Sequence, residues 1–399
     1  MRTKALINLS LVSIIIFLPA ATGGAQPDIS NRIDQYIKAE MHRQQIPGVS
    51  VAVVREGKIE LLKTYGLSNV EHQVPVKPET VFQSGSIGKQ FTATAVMMLV
   101  DEGKIALDDP VEKYIPTFAV SQLRDSSLVK NLTIRRLMTH TSGIATDQAV
   151  RESLEATANS LAGRPFEFQP GERWQYGPGL NVCARIIEVV SGKKYDEFMN
   201  ERIFKPLEMK DTTFYPTKEQ SPRVATLYRP GPEGGPAMAP AARQAIAVAG
   251  ETQPNPSGGL YSTGRDVMRF YQTILDGGEW KTAPGGPRRI VSAAAVKEMT
   301  SSQTGELRTN WGRSNSWGLG WCLINRPRDA SGGLSPGSFG HGGLYGTQVW
   351  VDPARQAIFV LLIQSIDFED SDSSIVRREF QRLAAEALDG KTVATGGAP

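Results

Sequence analysis

Cysteine and histidine are both scarce in this chain, which holds two of the first and four of the second in 399 residues. His42, His72, His140 and His341 stand in no metal-ligand spacing with one another or with a cysteine or acid, so metal chemistry has no sequence support. Cys183 and Cys322 either pair in an oxidising compartment or remain buried thiols, because spacing alone does not bring them together. No excess of one charge exists either. Lys+Arg number 44 against 41 Asp+Glu, and the first 25 residues hold two of the bases and no acid. The near-neutral remainder offers no electrostatic footprint for nucleic acid or a membrane surface. Internal repeats are absent, and no phosphate loop is complete. Gly85-Ser86-Ile87-Gly88-Lys89 is too short between its glycines, and Gln90 stands where a magnesium-binding hydroxyl belongs.

The N-terminus carries an address. Arg2 and Lys4 precede an apolar run from Ala5 to Ala20, and small residues follow at Gly23 and Ala25. That order is a secretory signal peptide over residues 1–25, cleaved after Ala25, with an uncleaved anchor helix as the alternative. The expected location is exported, periplasmic or extracellular, with no membrane span once the leader is removed.

Val49–Val54, a turn at Glu56-Gly57, and Ile59–Leu62 predict a hairpin. Thr347–Val351 and Ile358–Ile363 predict a second, and the unbroken apolar run of the latter suits a strand covered on both faces. Apolar spacing predicts helices over Gly88–Leu99, Leu132–Met138 and Val182–Val190, and a last one opening at Asp372 and stopping at Gly390. Strands at both ends and helices between predict an α/β fold: residues 26–120 and 270–390 form an α/β part around a mainly helical insert at 121–269, with a loose tail at 391–399. Arg229–Gly259 and Lys281–Arg288, rich in Pro, Gly and Ala, read as functional rims or disordered segments.

Three serine patterns compete for nucleophilic chemistry. Gly333-Leu334-Ser335-Pro336-Gly337 has the G-x-S-x-G form, but Pro336 lacks the N–H that such an elbow needs for its oxyanion. Ser191-x-x-Lys194 lies at the C-terminal, negative end of a helix, a capping position. Ser86-x-x-Lys89 lies where a helix begins. There the two side chains share a face, unpaired backbone N–H groups favour an oxyanion, and apolar neighbours favour a neutral lysine able to accept the serine proton.

The segment Phe82–Lys89 resembles the active-site segment of the serine β-lactamase and penicillin-binding-protein superfamily, in particular its class C-like branch, which includes esterases and D-amino-acid peptidases. Further segments match in order: Leu137–Gly143, Phe168–Tyr176, Gly258–Thr263 and Gly340–Gly343. The resemblance covers nearly the whole mature chain. It implies an antiparallel sheet flanked by helices with an all-helical insert, and no cofactor. Ser86 becomes the nucleophile, Lys89 its base and Tyr176 a proton-transfer partner. His341-Gly342-Gly343 becomes the substrate-binding edge, with the N–H groups of Ser86 and Leu344 as the oxyanion hole. His140 and Trp174 are expected to pack or hydrogen-bond.

Two departures shape the expected chemistry. Pro178 stands where the family motif has asparagine, with Asn181 a candidate substitute, and His341 replaces a lysine that would hold a carboxylate. Both point away from an efficient β-lactamase and towards a small-molecule or peptide ester or amide. The Pro178 departure also leaves room for a non-hydrolytic ligand-binding or acylation-sensing protein on the same fold.

Overall fold

A computed structural model describes residues 29–120, 131–232, 234–238, 253–309, 315–326, 332–366 and 374–390. Helix α1 (Ile29–Arg43) leads into strands β1 (Gly48–Arg55), β2 (Lys58–Asn69) and β3 (Val74–Pro75). The remaining strands of the main sheet come from the far end of the chain: β4 (Asn315–Trp317), β5 (Cys322–Ile324), β6 (Phe339–Gly342), β7 (Gln348–Asp352) and β8 (Ala357–Ile363). Their order is β4-β5-β6-β7-β8-β1-β2-β3, antiparallel throughout.

Strand periodicity divides the core. Along β1 and β8, Ala52, Val54, Ile358, Val360 and Leu362 face one hydrophobic cluster. Their neighbours Val49, Val51, Val53, Phe359, Leu361 and Ile363 face another. Every residue of β8 is buried, as its unbroken apolar run requires. The second face is closed by α1, through Ile33 and Ile37, and by α9 (Ile375–Leu388), through Val376, Phe380 and Leu383. Helix α9 opens on Ser374, whose Oγ accepts from the Arg377 N–H, so the cap is Ser374 and not Asp372, which lies outside the described residues.

Helices fill the other face. They are α2 (Gly88–Asp101), α3 (Ile134–Met138), α4 (Leu154–Ala162), α5 (Gly179–Ser191), α6 (Tyr195–Met199), α7 (Gly264–Leu275) and α8 (Ala293–Met299). Helix α2 is the hub: all residues from Gly88 to Leu99 are buried, and Phe91 stacks on Phe270 of α7 with ring centres 3.8 Å apart. The helix is buried on every side because other helices pack around it, so its polar residues Lys89, Gln90, Thr92 and Thr94 are enclosed with the apolar ones. The stretch Lys281–Arg288 lies within a short hairpin that pairs Glu279–Trp280 with Arg288–Arg289, and Tyr228–Pro230 pairs with Pro236–Met238. Residues 239–252 of the first irregular stretch lie outside the described residues. Cys183 and Cys322 are both buried, in different clusters on the two sides of the sheet, and do not pair with each other.

Candidate active site

The hub helix begins against the end of β6. Phe82–Gln83 pairs with Tyr261–Ser262, the Ser84 N–H donates to the Leu260 carbonyl, and a 3-10 turn over Gly85–Ile87 runs into α2. Gly85 adopts φ 56°, and a β-carbon there would lie 2.9 Å from the Leu344 nitrogen. A β-carbon on Gly343 would lie 2.4 Å from the Ser84 oxygen, which the Thr347 hydroxyl also meets at 2.6 Å. These two glycines let the serine turn and the β6 end touch backbone to backbone. Ser86 and the Leu344 N–H are therefore neighbours, and Leu344 itself is 60% exposed.

One turn beyond, Lys89 is 1% exposed. Its Nζ lies 3.2 Å from Ser86 Oγ and donates to the Ser257 carbonyl at 2.9 Å. It also sits over the Tyr176 ring, 4.8 Å from the centre. Ser257 belongs to a loop clamped over the start of α2. The Thr92 hydroxyl donates to the Pro256 carbonyl, the Ser257 N–H donates to Asn255 Oδ1, and the Ser257 hydroxyl donates to Asn181 Oδ1 at 2.5 Å. Asn181 thus reaches the lysine region through Ser257. Pro178 supplies no amide but precedes α5, where its missing N–H costs nothing.

Tyr176 extends towards β6, its hydroxyl 3.4 Å from His341 Nε2. His341 Nδ1 meets the Gly342 carbonyl at 2.5 Å. A carbonyl only accepts, so Nδ1 carries the proton, Nε2 is the acceptor and Tyr176 donates to it. Burial is the main reason that the His341 pKa falls to about 3, and the Lys89 charge adds to it against the opposing Gly342 contact. The ring is neutral throughout the physiological range. His140 is fully buried and held well below its ordinary value by burial first, then by Lys89 and His341. An aromatic wall of Trp174 and Trp317 backs Tyr176 and both imidazoles.

The structure brings Ser86, Lys89, Tyr176, His341, Gly342, Gly343 and Leu344 to one place, and adds Ser257 and Trp317, which sequence reasoning did not single out. The Ser257 contact is a backbone carbonyl, for which no side-chain type is a signal. Ser191 ends α5 before Gly192 at φ 69°. Ser335 lies in the turn before β6, its N–H donating to Asp352 and its hydroxyl oxygen accepting from Arg355. Among the described residues, no cluster of three or more His, Cys, Asp or Glu is disposed to hold a metal ion. Nor is any described helix long and apolar enough to cross a membrane.

An antiparallel sheet backed by terminal helices, with a helical layer whose hub helix starts against the end of a sheet strand, is the fold of β-lactamase and transpeptidase-like proteins. The family model described as Beta-lactamase matches residues 33–383. The chain belongs to that family, and its relatives include penicillin-binding proteins and esterases. It is 33% identical over 318 residues to penicillin-binding protein 4 of Amycolatopsis lactamdurans, covering 78% of this chain and 77% of that one. It is 26% identical over 388 residues to esterase EstB of Burkholderia gladioli, covering 88% and 94%. Among solved structures, EstCE1, described as a hydrolase with promiscuous acyltransferase activity, superposes with a TM-score of 0.75 at 22% identity, over 90% of this chain and 99% of that one. The octameric penicillin-binding protein homologue from Pyrococcus abyssi gives 0.70 at 26% identity, over 91% and 78%.

Proposed function

We propose that this protein is an exported serine hydrolase that cleaves an uncharged ester or amide through an acyl-enzyme on Ser86. The observation that carries the reading is the buried Lys89 amine 3.2 Å from the Ser86 hydroxyl, at a helix start beside the Leu344 N–H. Burial works against the Lys89 ammonium ion, and once that ion has given up its proton its lone pair faces Oγ as a base. As Oγ attacks, its proton passes to Lys89 Nζ and the carbonyl oxygen gains charge facing the N–H groups of Ser86 and Leu344. The Tyr176 hydroxyl gives its proton to the departing alkoxide or amine and regains one from Lys89. Water then repeats the sequence to release the acid. The Ser257 carbonyl holds Lys89 where the motif has an asparagine, which supports turnover over binding alone. The leader over residues 1–25 supports export.

Substrate choice rests on His341. A lysine there would offer a carboxylate a charge-assisted hydrogen bond of about 1.5–3 kcal/mol, which a neutral imidazole does not. The resemblance of the chain to esterase EstB points the same way. Purified protein is to be assayed on p-nitrophenyl butyrate and on nitrocefin. The expected result is multiple turnover of the ester, with kcat/KM for nitrocefin lower by roughly 10- to 100-fold, the rate equivalent of that bond. Equal or faster nitrocefin hydrolysis overturns the substrate assignment. A single stoichiometric burst without turnover would instead favour the non-hydrolytic reading.

A further inference from the structure

His140 occupies a backbone position that disfavours it. It follows Thr139 at the end of α3, where the Thr141 N–H turns back to the Arg136 carbonyl and the residue between them is left-handed, with φ 60°. Glycine is the usual occupant of that site, with asparagine next, because a β-carbon there is strained. Strain kept at one residue calls for a use of its side chain.

The use is visible in what the residue touches. The His140 carbonyl accepts the N–H of Gln175 at 2.8 Å, and its Nδ1 accepts the N–H of Gly177 at 3.3 Å. Between those two amides stands Tyr176, whose ring lies against the imidazole with centres 4.5 Å apart. The far nitrogen, Nε2, has no hydrogen-bond partner among the described residues, so the polar contact of the ring is the one made by Nδ1. Burial beside Lys89 keeps the imidazole unprotonated, leaving Nδ1 free to accept.

We infer that His140 is a positioning residue, which grips the backbone on both sides of Tyr176 and fixes the phenol between Lys89 and His341. This rests on the hydrolase reading above, in which the Tyr176 hydroxyl moves the leaving-group proton. Loss of the grip displaces the phenol without touching the nucleophile, so kcat falls while substrate binding is little changed. A residue that served stability alone would lower the melting temperature with no special link to Tyr176.

The test uses the full mature chain and p-nitrophenyl butyrate. His140→Gly removes the side chain while suiting φ 60°. His140→Asn suits it too and restores an acceptor at the Nδ1 position, and His140→Gln carries its amide one bond too far. A displacement of the phenol by about 1 Å should cost on the order of 100-fold in kcat for His140→Gly, with KM within a few-fold of the parent. His140→Asn should recover about tenfold or more of that loss, and His140→Gln less. In a Tyr176→Phe background, His140→Gly should add almost nothing. If the glycine variant does not fold, the Asn and Gln variants alone decide the matter. His140→Asn no better than His140→Gln, or losses that multiply in the Tyr176→Phe background, overturn the inference. Near-normal turnover by Tyr176→Phe itself overturns the hydrolase reading of Tyr176 instead.

Discussion

A neutral histidine sealed beside a lysine makes this protein sensitive to acid in a way that one substitution should relieve. His341 is fully buried and titrates at about 3 in the folded chain, against about 6.5 when unfolded. The folded pKa is the lower one, so between those values the unfolded chain binds the extra proton and stability falls as pH falls. From pH 7.5 to pH 5 the loss attributable to His341 is about 2 kcal/mol, rising to about 5 kcal/mol below pH 3. His140, also depressed, adds loss in the same direction. Glutamine at position 341 does not titrate, and its amide oxygen can still accept the Tyr176 proton. Guanidinium unfolding of parent and His341→Gln at pH 7.5 and pH 5, with the m-value as a check on two-state behaviour, should give a variant whose stability drops about 2 kcal/mol less than that of the parent. Equal drops in the two proteins would refute the claim that His341 is kept neutral by the fold.

Lys89→Ala and Tyr176→Phe should each lower kcat by several powers of ten, and the double variant should be barely worse than the worse single one, because the two move one proton between them. Independent multiplication of the two losses in steady-state assays would leave Tyr176 a wall of the pocket. Gly343→Ala places a β-carbon within 2.4 Å of the Ser84 carbonyl oxygen. It should cost about 1–3 kcal/mol of stability by overpacking. By shifting the Leu344 N–H it should also cost roughly 100-fold in kcat. An unaltered melting temperature and rate would show that the serine turn and the β6 end do not need their close contact.

Much of this architecture is legible in the sequence. The run Ile358–Ile363 has no polar residue to turn towards water, and it lies inside the sheet beside β1. The hairpin over β1 and β2 follows from two strand-forming runs separated by the turn at Glu56-Gly57. The short strands β4 and β5 are less legible, because Gly318 and Gly320 interrupt a segment rich in tryptophan. Helix α1 escapes notice because Ile33 and Ile37 are widely spaced among polar residues, and only the sheet beneath shows what they bury.

At the site, residue types carry the signal for Ser86, Lys89, Tyr176 and His341. What holds them does not show in side-chain chemistry. The Ser257 carbonyl is available to any residue type, and the left-handed turn at His140 appears only once α3 is seen to end there.

Covalent trapping reads out which serine is the nucleophile. The parent protein is to be treated with a fluorophosphonate, digested and read by mass spectrometry, with Ser86→Ala as the control and its melting temperature measured beside it. The expected result is a single adduct on Ser86, no adduct and no ester turnover in Ser86→Ala, and an unchanged fold. An adduct on Ser191 or Ser335, or ester hydrolysis surviving in folded Ser86→Ala, would contradict it.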